Sequence, residues 1–262
     1  MNTQGRDVVL CLCDLTGVFA RPWVEAGYTA ILVDPQHPDG VRRRHDELGG
    51  EWITVGHEID HPDTWRTVRT FLHRIAFVCG YPPCTDVSLS GTRWWASKAA
   101  QDRYFQCRAT RVAEQCQTIG KMSGAPWFME NPMSAFGKIY GRPCHKFHPW
   151  HFSGIELGDN YTKETWLWTG GGFVMPEKDV HPRVQESINV VVADFGRQVP
   201  IDKVRKRYGA DSEVVAYYPS DRIHKCPPGV DRANIRSATP PAFSTACYRA
   251  NAATAWAWCE VI

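Results

Sequence analysis

Short apolar runs separated by stretches of helical periodicity organise the first third of the chain. "DVVLCL" (7–12), "TAILVD" (29–34), "EWITV" (51–55) and "IAFVC" (75–79) are rich in β-branched residues and apolar at successive positions. That is the pattern of strands covered on both faces. Between them, "TGVFARPWVEAGY" turns through Gly17 into a helix that Pro22 can open, and "HPDTWRTVRTFLHR" reads as a helix begun by Pro62 and Asp63. Repeated β-α-β units of this size predict an α/β fold, a Rossmann-like, doubly wound, mainly parallel sheet with helices on both faces.

Further along, the period changes. Phe105, Ala109, Val112, Cys116 and Ile119 recur at spacings of four and three, one face of a long helix expected within 97–122. "PWFMENP" reads as another strand, "YTKETWLWTGG" as a further strand ending in glycines, and "SATPPAFSTACYRANAATAWAW" as a closing helix. Residues 177–228 hold the β-branched segment "INVVVADF" and few helix signals, which marks a small insertion. The expected organisation is a Rossmann-like domain over 1–172, an insertion over 173–228, and a segment over 229–262 that returns to the first domain.

Composition narrows the picture only a little. A chain of 262 residues is enough for one sizeable domain, or one with a small appendage. No apolar stretch reaches the length of a membrane span, and "MNTQGRD" does not read as a signal peptide. Ten cysteines without such a signal predict a reducing, cytoplasmic location. A net charge of +2 neither demands nor excludes nucleic acid, but "KVRKRY" (203–208) is a local basic patch. A solvated helix face explains that patch equally well. Trp94 and Trp95 can stack on bases or anchor a loop.

Ligands of an open parallel sheet sit beyond the carboxyl ends of its strands. The residues there are Asp14 to Gly17, Asp34, Glu58 to Asp60, Tyr81 to Asp86 and Glu130 to Pro132. An acid ending the second strand, Asp34, suits the hydroxyls of a ribose. Neither phosphate-cradling glycine pattern is present, which favours an adenosine cofactor without phosphates, S-adenosyl-L-methionine. Cys84 follows two prolines, and Glu130 ends the next strand-like run. A thiolate and a carboxyl group at one sheet edge suit attack on carbon 6 of a pyrimidine while the acid engages a ring nitrogen. The alternative is a buried structural thiol and a salt-bridged glutamate. Cys144, His148 and His151 have ligand-like spacing, but Pro143 and Pro149 break any helix there, and no metal is expected.

"PPCTDVS", "MENP" and "RSATPPAFSTA" resemble the DNA cytosine-5 methyltransferases, in a compact form of the kind found in bacteriophages. The resemblance implies a class I methyltransferase fold in which Cys84 is the covalent nucleophile and Glu130 engages the cytosine, with Asn131 and Pro132 shaping that loop. It implies a cofactor pocket of Asp14, Gly17, Asp34, Pro82, Glu58 or Asp60, and Ser237 and Thr239 of the late motif. The family's Gln-x-Arg-x-Arg motif is replaced by "YTKETWLW", so Lys163 and Thr165 would take over its roles. Only Gly17 survives of the glycine-rich first motif. The implied partner is double-stranded DNA with a flipped cytosine, in a host cell's cytoplasm if the enzyme is viral. Trp94, Arg205 and Arg207 would face the DNA, and no obligate protein partner is evident. Two other readings stay open: the same scaffold acting on a free cytosine nucleotide or with a donor other than methyl, and a non-catalytic DNA-binding protein.

Overall fold

A computed structural model describes residues 5–47, 49–229 and 232–257. Two compact units emerge. The first takes the chain through Lys146, then Thr165–Met175 and the chain from Cys247; the second takes Phe147–Glu164 and Pro176–Ala246.

The apolar runs become strands as their patterns require. β1 (Val8–Leu12), β2 (Thr29–Val33) and β5 (Ile75–Gly80) are buried at every position, and β4 (Glu51–Val55) at all but its first. β3 (Val41–His45), "VRRRH", is exposed throughout and pairs antiparallel with β4. β6 (Trp127–Pro132) continues the parallel set beside β5. β8 (Thr165–Gly170) runs antiparallel to β6, and β7 (His145–Phe147) lies outermost. The mixed eight-stranded sheet has the order β3-β4-β2-β1-β5-β6-β8-β7. Its parallel strands, taken in chain order, stand as 3-2-1-4-5, a Rossmann-like doubly wound arrangement whose direction reverses between β1 and β5.

Helices cover this sheet. α1 (Arg21–Glu25) carries its proline in the first turn, as does α2 (Pro62–Phe71), where the His61 ring accepts the Asp63 N–H. The helix expected over 97–122 is two: α3 (Trp95–Gln101) and α4 (Phe105–Ser123). Asp102 makes the break, its carboxylate accepting the Tyr104 N–H at 2.9 Å. On α4, Phe105, Ala109, Cys116 and Ile119 are buried, with Val112 packed at the margin. α5 (Phe136–Ile139) is a single turn after β6.

The second unit corrects the expectations for 173–228. It is helical: α6 (Pro182–Phe195), α7 (Ile201–Tyr208), α8 (Glu213–Tyr217) and α9 (Arg232–Ser237). "INVVVADF" is the end of α6, and Val184, Ile188 and Val191 meet Val199, Ile201, Val204, Val215 and Tyr218 in a separate core. Residues 147–164 and 229–246 belong to this unit as well. α10 (Pro241–Ala257) closes the described chain; Trp258, expected in the same helix, lies outside the described residues. Among the described residues no helix is long and apolar enough to cross a membrane.

Candidate active site

The parallel strands of the first unit end on one edge, and the turns after β1, β2, β4 and β5 and the end of β6 gather there. The turn after β1 is built around Asp14. One of its oxygens, Oδ1, accepts from Thr16 N (2.8 Å), Thr16 Oγ1 (3.0 Å) and Gly17 N (3.0 Å). Oδ2 is buried and has no hydrogen-bond partner. Burial pushes the Asp14 carboxyl above its ordinary range, against the lowering effect of the Gly17 and Thr16 hydrogen bonds. Cys13, just ahead, sits at φ 58°, a left-handed conformation that costs a non-glycine residue about 1 kcal/mol or more. Gly17 has φ +67°, and an added Cβ would meet the Trp52 ring at 2.8 Å, so backbone and packing both require glycine here.

Asp34 is buried at the end of β2, and its Oδ1 accepts the Gln36 N–H at 2.8 Å. His37, which the sequence did not single out, reaches back from the same loop, its Nε2 3.0 Å from the Asp14 carbonyl. A histidine three residues after a strand-end aspartate is a signal for such a latch, but a weak one. After β4, Glu58 is exposed, while Asp60 forms a surface ion pair with Arg111 at 2.5 Å. The two acids that the sequence could not separate therefore differ: Asp60 is committed and Glu58 faces solvent.

The turn carrying Cys84 is fixed from three sides. The Tyr81 N–H donates to the Leu12 carbonyl (2.9 Å), continuing the β1–β5 pairing beyond the strands. The Cys84 carbonyl accepts from Val87 N (3.1 Å) and Ser88 N (2.8 Å), and Val87 is fully buried in the main core. The third tie comes from β6. Buried Asn131 donates from Nδ2 to the Pro82 carbonyl at 3.0 Å. Beyond it, Leu89 N donates to Met133 O (3.0 Å) and Ala135 N to Val87 O (2.8 Å). The Pro-Pro-Cys and Glu-Asn-Pro segments thus form one knitted unit. The parent strands are neighbours, with Gly80 opposite Met129, one residue before Glu130.

Cys84 and Glu130 are both half-buried. That sets Cys84 apart from Cys11, Cys79 and Cys247, whose thiols burial pushes up and out of the range of useful nucleophiles. Thr165 lies across from Pro132 in the β6–β8 register and is buried. Trp94 is 56% exposed, with the Arg93 guanidinium over its ring at 5.1 Å. The loop between Cys84 and these residues is pinned by Lys98, whose ammonium meets the Asp86 carboxylate at 2.5 Å.

The remaining expected site residues belong to the second unit. Lys163 does not sit on β8; its Nζ donates to the Ser237 carbonyl (3.4 Å) and the Ala238 carbonyl (3.3 Å). Ser237 is exposed at the end of α9 and Thr239 is buried after it. Arg205 and Arg207 do not stand as uncommitted phosphate partners. Arg205 pairs with Asp202 at 3.3 Å, and Arg207 makes two bonds to Asp194 at 2.8 and 3.2 Å. His148 and His151 serve local structure, the His151 Nδ1 accepting the His148 N–H at 3.4 Å. Burial, with Lys178 and His148 nearby, holds the His151 pKa down at about 3.

No protein-family model matches the chain, and no curated protein matches it.

Proposed function

We propose that the protein transfers a methyl group from S-adenosyl-L-methionine to carbon 5 of cytosine in double-stranded DNA, on a class I methyltransferase fold. The observation that carries this reading is the Asn131–Pro82 hydrogen bond. It joins the cysteine turn to the Glu-Asn-Pro strand end, so a thiol and a carboxyl group are presented from adjacent strands at the carboxyl edge of a doubly wound sheet.

In this reading the Cys84 thiolate adds to carbon 6 of the flipped base. Glu130 protonates or hydrogen-bonds the ring nitrogen that receives the displaced electron density. Carbon 5 becomes nucleophilic and takes the methyl group; loss of the carbon-5 proton to a base then expels the thiolate. The donor supplies an electrophilic methyl on a sulfonium. The chain's own residues fit such a donor: the buried, unpartnered Asp14 oxygen suits an amino group, and Asp34 at the end of β2 suits a ribose.

The test uses DNA containing 5-fluorocytosine with the donor present. The fluorine blocks the final elimination, so a covalent adduct that survives denaturation is expected, and Cys84→Ala should abolish it. Mass analysis of nucleosides from ordinary treated DNA should show cytosine heavier by one methyl. An adduct with the free nucleotide but not with DNA overturns the acceptor, and an added mass other than methyl overturns the donor.

A further inference from the structure

The loop between β4 and α2 and the first turn of α2 carry a group of side chains that the methyl-transfer reading does not use. His57, His61 and Asp63 each offer one donor atom, and these atoms lie within 4.8 Å of one another. The His57 side chain is 14% exposed, and its Nε2 is buried without a hydrogen-bond partner. That nitrogen faces the Asp63 Oδ2 at 3.6 Å, beyond hydrogen-bond length. On the opposite side of the ring, Nδ1 faces the Asp39 Oδ1, also at 3.6 Å. The His57 and His61 rings stack with centroids 3.8 Å apart. A ring held between two carboxylates, with its buried Nε2 hydrogen-bonded to neither, is a costly arrangement unless something else engages that nitrogen.

We propose that His57, His61 and Asp63 bind a divalent transition-metal ion of the zinc class. Two imidazoles and one carboxylate make a borderline-soft donor set that favours such an ion over calcium or magnesium, which take oxygen ligands. His57 binds through Nε2, and its Nδ1–H then donates to Asp39, the carboxylate–histidine–metal relay of such sites. His61 already uses Nδ1 to accept the Asp63 N–H at 3.1 Å, so ligation through Nε2 keeps this helix-capping bond. The donors contract by about 1 Å to reach metal–nitrogen bonds of about 2.0–2.1 Å. The ion fastens the start of α2 to the β4–α2 loop, and through Asp39 to the loop that follows β2.

Cobalt(II) titration of the reduced full-length chain provides the test, with its visible absorption as readout and zinc(II) as competitor. A 1:1 complex is expected, displaced by zinc and free of sulfur-to-metal charge-transfer absorption. His57→Ala, which leaves the α2 cap in place, should weaken binding at least tenfold, as should Asp63→Asn, with far-ultraviolet circular dichroism unchanged. Asp39→Asn should weaken it less. No saturable 1:1 complex overturns the proposal. So does a thiolate charge-transfer band, or affinity unchanged in His57→Ala.

Discussion

The two units solve the problem of holding polar side chains in opposite ways. In the first, side chains at the carboxyl edge of the sheet are placed by backbone that strands and turns have already fixed: Pro82, Cys84 and Gly17 all sit in hydrogen-bonded turns. In the second, Arg205 and Arg207 of α7 ride on a short helix anchored by Ile201 and Val204, and their head groups are steadied by neighbouring acids. Backbone-fixed groups keep their geometry whatever the solvent does. Head groups in exposed ion pairs gain at most about 1 kcal/mol and are screened by salt. A site needing ångström-level placement belongs on the first kind of support, and a sliding, salt-sensitive contact can live on the second.

The largest separation between the units should come from Glu130→Gln. It keeps the shape of the edge and removes the acid, so single-turnover methyl transfer should fall by about 10²–10³-fold with DNA affinity nearly unchanged. An equal loss in affinity would move Glu130 from chemistry to binding. Asp14→Asn should come next. Because burial raises the Asp14 pKa, a donor ammonium that pairs with the ionised carboxylate binds more weakly in acid. Donor affinity measured from neutral to acid pH should show that loss for the native chain. It should vanish in the asparagine variant, with affinity reduced about tenfold.

Acid should act on the second unit through His151. Its folded pKa of about 3 lies below the ordinary 6.5, so the neutral ring is the stabilised form. The corresponding stability is complete above 6.5 and is lost as pH falls from there towards 3. Thermal unfolding between pH 7 and 4 should drop by several degrees beyond that of His151→Gln, whose acid limb should be flatter. The smallest effect is expected from α7. Lys203 and Lys206 have no ion pair among the described residues, so each alanine substitution should lower the salt slope of DNA binding by about one. Arg207→Ala, by contrast, removes the Asp194 pairing and should show in stability first.

How far the sequence could be read follows the same division. The strands of the first unit are buried on both faces, so composition alone marks them, and the strand-end acids and cysteine followed. β3 escaped because an exposed, arginine-rich edge strand has no apolar run to announce it. In the second unit the signal was present but masked. Val184, Ile188 and Val191 have helical spacing, yet Val190, Val191 and Val192 in succession imitate a strand. Once α6 is a helix, Val190 is simply a solvent-facing position. The tie between Asn131 and Pro82 could not be read either, because a side-chain bond between residues far apart in sequence leaves no local period.

The arginines of β3 have a use of their own. A lateral strand leaves half of its amides and carbonyls available to any other extended chain, and long smooth borders of this kind seed stacked aggregates. Here Arg42, Arg43 and Arg44 put positive charge on both faces of five exposed residues. A second copy approaching side by side would bring like charges into register. The border that makes the sheet hardest to foresee also discourages it from growing.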